Sequence, residues 1–245
     1  MQIITIAQLK GGCGKSTTAA ALAQAATSAG KKVLAVDLDP QGNLSFFIGA
    51  DQGKPGSLEL LNGAPAKEII QATEQGIDAI AARQDLATIK TASASARRLY
   101  RALQPVKESY DLIIIDTPAS LGELHYNALQ VSTGLITPQE ADINNLQGFY
   151  RLIDIAGQMK ESNPALSIMG AIVTRYDNRP KLNRYLRDAI RDRANEKQVP
   201  YLMEIRQGTA IREAQSFQLS LYKYAPRSAP AVDYMELYKL ITKGE

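Results

Sequence analysis

The chain has 245 residues, of which 45% are hydrophobic and 22% are charged, and its formal net charge is +3. These proportions are those of a globular protein with a large core, and they exclude a disordered chain. A single cysteine, Cys13, excludes a disulfide framework and any cysteine-rich metal site built within one chain, and it indicates a reducing cytoplasmic environment. No run approaches the ~18 consecutive apolar residues of a membrane helix, and the first residues do not resemble a signal peptide.

Short β-branched runs alternate along the chain with longer helical patterns. This alternation predicts a three-layer α/β fold, with a mostly parallel, twisted sheet of about seven to eight strands flanked by helices. The clearest predicted strands are Ile3–Ala7, Val33–Asp37, Leu112–Asp116, Leu135–Thr137 and Ile168–Thr174, and the weaker ones are Ile77–Ala81 and Tyr201–Ile205. The predicted helices are Ser16–Ala29, Leu99–Lys107, Glu123–Val131, Asn145–Met159 and Leu182–Ala194. The stretch Gly49–Pro65 is typical of a surface connection with a short helix, so residues 1–245 are expected to form one domain.

A glycine-rich turn lies between the first predicted strand and the first predicted helix. Its residues are Lys10-Gly11-Gly12-Cys13-Gly14-Lys15-Ser16-Thr17. Glycines let the backbone curl so that successive N–H groups face phosphate oxygens, and the N-terminus of the following helix adds donors and a favourable dipole. Lys15 can then reach the β and γ phosphates, and the Ser16 hydroxyl can bind Mg²⁺. The general phosphate-loop pattern has glycine where this chain has Leu9, so a glycine-rich loop that only resembles a phosphate loop is the alternative.

Two further strands end in aspartate. The strand Val33–Asp37 continues into Leu38-Asp39-Pro40-Gln41-Gly42-Asn43, and a carboxylate at the carboxyl end of such a strand lies where open α/β sheets bind ligands. The strand Leu112–Asp116 is apolar until its last residue, which is the pattern of a Mg²⁺-binding aspartate that acts through water. Asp39 precedes Pro40, and an ordinary turn is the alternative explanation for it.

Together these segments resemble one family. The run Lys10–Thr17 is similar to the deviant Walker A motif of the ParA, Soj, MinD and nitrogenase iron-protein relatives, and Asp37–Asn43 is similar to the ParA/Soj switch I. The resemblance implies a P-loop NTPase fold that hydrolyses ATP with Mg²⁺ held at Ser16 and Asp116. It also implies an ATP-sandwich homodimer in which Lys10 reaches the partner's ATP. By the same resemblance Lys15 offsets phosphate charge, Asp39 activates the attacking water, and Asp37 supports the loop.

The resemblance continues to the end of the chain. The segment Leu121–Leu129 is similar to the ParA switch II region, and its His125 is expected to be a structural or surface residue. Thr174 and Arg206 are the candidates for the adenine pocket, although Ile205 stands where the family usually has proline. No N-terminal extension is long enough for a helix-turn-helix domain. An iron-protein activity is excluded because its bridging cluster needs two cysteines from each subunit.

The helix predicted at Leu182–Ala194 is a candidate DNA surface. Leu182, Leu186 and Ile190 form one apolar stripe, and three arginines on another face could follow phosphate oxygens. Asp188 and Asp192 partly neutralise these arginines, and a merely solvated face is the alternative. The resemblance implies that the ATP-bound dimer binds double-stranded DNA without sequence preference. The candidate contacts are Arg184, Arg187, Arg191, Arg212, Lys223 and Arg227.

The leading hypothesis is therefore a ParA-like partition ATPase that segregates plasmid, chromosome or mobile-element DNA with a ParB-like partner. Such a protein is expected in the bacterial cytoplasm, associated with the nucleoid. A MinD-like positioning ATPase on membranes is one alternative, but acidic residues offset the two lysines of the last segment, which suits packing on the body better than lipid binding. A nucleotide-gated regulatory protein with negligible turnover is the other alternative.

Overall fold

The computed structural model describes residues 1–89, 97–142 and 146–242. Within these ranges one eight-stranded sheet has the order β3-β4-β2-β5-β1-β6-β7-β8. Every neighbouring pair is parallel except β3 and β4. The strands are β1 Gln2–Ile6, β2 Val33–Asp37, β3 Gln71–Ala72, β4 Asp78–Ile80, β5 Leu112–Asp116, β6 Gly134–Glu140, β7 Ser167–Tyr176 and β8 Tyr201–Arg206.

Helices connect the strands and cover both faces of the sheet. They are α1 Lys15–Ser28, α2 Asn43–Phe47, α3 Ser57–Leu61, α4 Ala66–Ile69, α5 Arg98–Leu103, α6 Glu123–Val131, α7 Leu146–Met159, α8 Lys181–Glu196, α9 Thr209–Ser216, α10 Leu221–Tyr224 and α11 Ala229–Ile241. Short 3₁₀ turns lie at Gln84–Thr88 and Lys107–Ser109. None of these helices combines the length and the hydropathy that a helix needs to span a bilayer.

The core consists of two main layers of apolar side chains, one on each face of the sheet. On one face, Ile4 and Ile6 of β1 pack with Leu22 of α1 and Leu237 of α11. On the other face, Ile113 and Ile115 of β5 pack with helices α5 and α6. Strands that are covered on both faces need apolar residues at every position, which explains the continuous run of β5.

The predicted three-layer α/β fold is confirmed, and all seven predicted strands are present. The prediction missed β3, a two-residue antiparallel edge strand without a hydrophobic run. The predicted helix Leu99–Lys107 was too long, because α5 ends at Leu103. Pro105 has no N–H to donate to a carbonyl one turn earlier, so the helix cannot continue. Asn145, the first residue of another predicted helix, and residues 243–245 lie outside the described residues.

The predicted apolar stripe of α8 was partly wrong. Leu186, Ile190 and Ala194 are buried, but Leu182 is 63% exposed. Ile190 packs near Tyr176, the last residue of β7. Leu182 precedes Ile190 by eight positions, which is about 12 Å along a helix, so it lies beyond the end of the sheet. The first turns of α8 therefore extend past the edge of the sheet that the rest of the helix covers.

Candidate nucleotide-binding site

The glycine-rich turn leaves the carboxyl end of β1, between β5 and β6, and leads into α1. Gly12 and Gly14 have φ of 81° and 86°, a left-handed conformation that favours glycine. No side chain caps the N-terminus of α1, and its first turn contains no acidic residue. The N–H groups at this helix end, together with the helix dipole, form an anion-binding site.

The two lysines of the turn make different contacts. Lys15 is buried, and its Nζ donates a hydrogen bond to the Lys10 carbonyl oxygen at 3.1 Å. The Lys10 ammonium forms an ion pair with Asp142, just after β6, and both side chains are partly exposed. The Cys13 thiol also donates to the Lys10 carbonyl, at 3.3 Å. Burial raises the pKa of this thiol, so Cys13 is a packed residue and an unreactive one.

Two buried aspartates stand side by side at the ends of β2 and β5, where Asp37 and Asp116 are register partners. Neither carboxylate oxygen of Asp116 accepts a hydrogen bond of ordinary geometry from a described residue, although the Ser16 hydroxyl lies close enough to lower the pKa. Burial, followed by the charge of Asp37, raises the pKa of Asp116 well above its usual value. Burying a carboxylate without hydrogen-bond partners lowers the free energy of unfolding. Asp116 and Ser16 therefore supply the hard oxygen ligands that suit a magnesium ion.

Asp37 is fully buried but well bonded. Its carboxylate accepts hydrogen bonds from the Asp39 N–H at 3.0 Å, the Ser45 N–H at 2.8 Å and the Ser45 hydroxyl at 2.7 Å. Burial raises its pKa to about 6, and the bonds from Ser45 and Asp39 oppose that rise. Asp37 thus fastens the loop after β2 to α2.

Asp39 is partly exposed, and it lies in the turn that the hydrogen bond from its N–H to Asp37 holds in place. Its carboxylate accepts a hydrogen bond from the Gln41 N–H at 3.0 Å, and its carbonyl accepts one from Gly42 at 2.8 Å. The residue is therefore a turn former. Because its side chain is not buried, a carboxylate oxygen remains accessible for a second contact.

A cleft of about 1130 Å³ opens beside the glycine-rich turn. Gly14, Thr174 and Arg206 all line it. The Thr174 hydroxyl donates to the Cys13 carbonyl at 2.8 Å, so it supports the turn directly. The Arg206 guanidinium is bonded to Asp233 of α11 at 2.6 Å and 2.9 Å, which fixes it at the cleft wall.

Comparison with known proteins agrees with this geometry. The family model described as an AAA domain matches residues 1–168. The chromosome-partitioning ATPase Soj from Thermus thermophilus is 35% identical over 237 residues, which cover 96% of this chain and 92% of that protein. The chain belongs to the ParA/MinD group of P-loop ATPases.

Solved structures of similar proteins have the fold of this ParA/MinD-type chain. Cobyrinic acid a,c-diamide synthase from Mycobacterium smegmatis with bound ADP and magnesium has a TM-score of 0.83 at 28% identity, covering 98% of this chain and 93% of the other. The septum site-determining protein MinD from Pyrococcus horikoshii, complexed with Mg-ADP, has a TM-score of 0.80 at 27% identity. That match covers 99% of this chain and 96% of the MinD chain.

His125 is buried in α6 of this P-loop ATPase, so the structural interpretation is correct and the surface one is wrong. Neither ring nitrogen makes a hydrogen bond of ordinary geometry with a described residue. Burial lowers the pKa of the ring to about 4, and the nearby charge of Lys15 lowers it further. The imidazole is therefore neutral at physiological pH.

The structure divides the predicted DNA contacts into two groups. Arg187 forms ion pairs with Asp188 at 2.9 Å and Glu204 at 3.6 Å, and Arg191 contacts Asp188 at 3.1 Å. Four other candidates are exposed and form no ion pair with any residue that the structure describes: Arg184, Arg212, Lys223 and Arg227. The positive charges of this second group are not offset by acidic side chains among the described residues, so they are available to a ligand.

Three polar contacts of the site have no signal in the sequence. Asp142 pairs with Lys10, Ser45 bonds to Asp37, and the Gln215 amide donates to the Thr17 hydroxyl at 3.2 Å. Asp142 and Ser45 belong to no motif, and the contact of Gln215 joins it to a residue 198 positions away in the chain. Only the folded arrangement brings them to the site.

Proposed function

We propose that this chain is an ATP-dependent partition ATPase that forms a dimer, binds DNA and hydrolyses Mg²⁺-bound ATP. The observation that carries the proposal is the Asp116 carboxylate, which is buried without a hydrogen bond of ordinary geometry beside Ser16 and the open N-terminus of α1. A bound magnesium ion would neutralise that carboxylate and charge on the nucleotide phosphates. The Thermus relative, a chromosome-partitioning ATPase, supports the cellular role.

The chain's own residues have distinct roles in this proposal. The N–H groups of Lys10–Thr17 would hold the phosphates, and Ser16 and Asp116 would hold Mg²⁺. Lys15 would leave the Lys10 carbonyl for the phosphates. Thr174 and Arg206 line the cleft that would receive the adenine and sugar.

Asp39 is proposed to orient the attacking water. It is the accessible carboxylate of the loop, and its N–H is fixed by Asp37, so its position is defined before a substrate arrives. Phosphoryl transfer depends mainly on positioning and on charge neutralisation, and a defined carboxylate meets the first need.

Lys10 is proposed to complete the site of a second subunit. Its ammonium would exchange Asp142 for the phosphates of the partner's ATP in a homodimer with two nucleotides between the subunits. The ion pair with Asp142 is partly exposed, and such pairs contribute about 1 kcal/mol or less, so nucleotide binding can replace it.

The DNA-bound form is proposed to be the ATP dimer, and its DNA surface to include Arg184, Arg212, Lys223 and Arg227. The positive charges of Arg187 and Arg191 are offset by the acidic side chains that pair with them. A ParB-like partner would speed hydrolysis and release the DNA. This cycle would segregate plasmid, chromosome or mobile-element DNA on the bacterial nucleoid.

The experiment that tests the proposal is DNA binding by the purified protein with ATP, with ADP and without nucleotide. Tight binding is expected only with Mg²⁺ and ATP, and it should weaken steeply with salt because each phosphate contact releases a counterion. Arg212→Ala should lower the slope of log affinity against log salt by about one, and Arg191→Ala should lower it less. DNA binding that is equal under all three nucleotide conditions would contradict the partition cycle.

A further inference from the structure

A β-bulge lies where β7 reaches the nucleotide cleft. The pairing of β7 with β8 shifts register between Val173 and Tyr176. Two residues of β7, Thr174 and Arg175, therefore lie opposite one residue of β8, Ile205. Both residues of the bulge line the cleft. A bulge next to a binding site redirects a side chain that a regular strand would place elsewhere.

The backbone of this bulge is strained at Arg175. Its φ is 52°, in the left-handed region that is unfavourable for a residue with a Cβ atom. Strain of this kind persists where the surrounding structure imposes it, and it is frequent at ligand sites. Here the Thr174 hydroxyl lies 2.8 Å from the Cys13 carbonyl oxygen and 3.3 Å from the Gln139 carbonyl oxygen. These contacts join the bulge to the phosphate loop and to β6.

The guanidinium of Arg175 is held less firmly than others in the cleft, which is lined by Arg175, Arg179, Arg206 and Arg212. Asp177 binds Arg179, and Asp233 binds Arg206, in each case through two N–H groups. Arg212 lies on α9, whose contact with the phosphate loop is made by Gln215. Arg175 has one longer contact, 3.6 Å to Glu140, and its side chain is 57% exposed. An exposed ion pair of this length leaves the guanidinium able to turn toward a ligand.

A nucleotide base needs a flat surface to stack on in this cleft. Among the described residues that line the cleft, the aromatic ones are Tyr176 and Tyr234, which are 7% and 1% exposed, so protein covers their rings. A planar guanidinium can take the place of an aromatic ring, because it stacks on the face of a π system and attracts it electrostatically. Since a single sugar joins the base to the phosphates, the base has to lie near the phosphate loop, where Thr174 anchors Arg175.

We propose that Arg175 stacks on the purine base of bound ATP, and that the bulge holds it at the cleft beside the phosphate loop. The inference rests on the proposed ATP-dependent function. In that function Lys15 and the N–H groups of the loop bind the phosphates. Arg175 would therefore add affinity for the base and leave the affinity for the phosphates unchanged.

The test compares ligands with and without a base. Isothermal titration calorimetry measures the binding of ATP, ADP and inorganic tripolyphosphate to the full chain with Mg²⁺. Arg175→Ala should weaken ATP and ADP binding about fivefold or more and leave tripolyphosphate binding unchanged. Arg175→Lys should recover only part of the loss, because an ammonium keeps the charge but has no planar face. Arg179→Ala, at an arginine of the same cleft that Asp177 holds, should bind all three ligands like the wild type.

A second variant separates the side chain from the strained backbone. Glycine adopts a φ of 52° without a steric penalty, so Arg175→Gly should unfold at the wild-type temperature or above it. It should nevertheless lose ATP affinity as Arg175→Ala does. A purely structural role for Arg175 would give the opposite result, in which a variant that keeps its stability also keeps its affinity.

The outcomes separate this inference from the proposed function. An Arg175→Ala protein that binds ATP like the wild type would overturn the stacking role and leave the proposed function standing. Equal losses of affinity for ATP and for tripolyphosphate would also overturn it, because they would assign Arg175 to the phosphates. A wild-type chain that binds neither ATP nor tripolyphosphate would overturn both proposals.

Discussion

The Nζ of Lys15 lies 3.1 Å from the carbonyl oxygen of Lys10, so one lysine of the phosphate loop binds the backbone of the other. The Lys10 side chain in turn pairs with Asp142. Both cations of the loop are thus held by groups of their own chain. In the proposed dimer, ATP would replace the first contact, and the phosphates of the partner's ATP would compete with Asp142 for Lys10.

Lys10→Ala should retain most ATP affinity but lose ATP-dependent dimerisation and turnover, because the ammonium that would reach the partner's phosphates is gone. Asp142→Asn is the matched variant, since it frees Lys10. It should lower the ATP concentration that drives dimerisation by up to about fivefold, the equivalent of about 1 kcal/mol for a partly exposed ion pair. Analytical ultracentrifugation with ATP measures both. A Lys10→Ala protein that dimerises like the wild type would refute the role given to Lys10.

Asp39→Ala should trap an ATP-bound dimer on DNA. Removing the group proposed to position the attacking water should slow hydrolysis about 100-fold or more, whereas the proposed phosphate and magnesium contacts remain. Single-turnover hydrolysis and DNA retention measure the two effects. Asp39→Asn controls for loss of the turn, because its side chain can still accept the Gln41 N–H; normal turnover in the alanine variant would be the contradictory result.

Asp116→Asn should make the protein more stable without ligand and less responsive to Mg²⁺ and ATP. The substitution removes a charge that is buried beside Asp37, and burying an unpaired charge costs more than burying a neutral amide. It also removes the charge that would hold magnesium. Thermal unfolding with and without Mg²⁺ and ATP measures both effects. Equal ligand stabilisation of the variant and the wild type would exclude Asp116 from the metal site.

His125→Leu should change how stability depends on pH. The ring has a pKa of about 4 in the folded protein, below its ordinary 6.5, so the unfolded chain binds more protons and stability falls as pH drops from 6.5 towards 4. Near pH 5 this loss is about 2 kcal/mol relative to pH 7.5. Asp37, whose pKa is raised to about 6, acts in the opposite direction, because the folded protein binds its proton first.

The informative quantity is therefore the difference between His125→Leu and the wild type at each pH, in which the contribution of Asp37 cancels. Urea unfolding at pH 7.5 and pH 5 should show the variant gaining stability relative to the wild type at the lower value. An unchanged difference would mean that the ring titrates at its ordinary pKa and has a partner.

The sequence allowed most of the sheet to be predicted, because buried parallel strands such as Leu112–Asp116 are continuous apolar runs between longer helices. The phosphate loop could be predicted because its glycines need particular backbone angles. The prediction that Leu182 belongs to the buried stripe was wrong, because periodicity shows which face of a helix is apolar but not where the sheet beneath it ends. The contacts of Asp142, Ser45 and Gln215 could not be predicted, since they depend on distances between segments that are far apart in the chain.

The side-by-side placement of Asp37 and Asp116 has a consequence for the life of the protein in the cell. Two buried acids on neighbouring strands weaken the molecule whenever no cation offsets them, and loading with magnesium and nucleotide would relieve that repulsion. Molecules without ligand would open more often and be cleaved more readily by proteases. The amount of this ATPase in the cell would therefore follow the supply of magnesium and ATP.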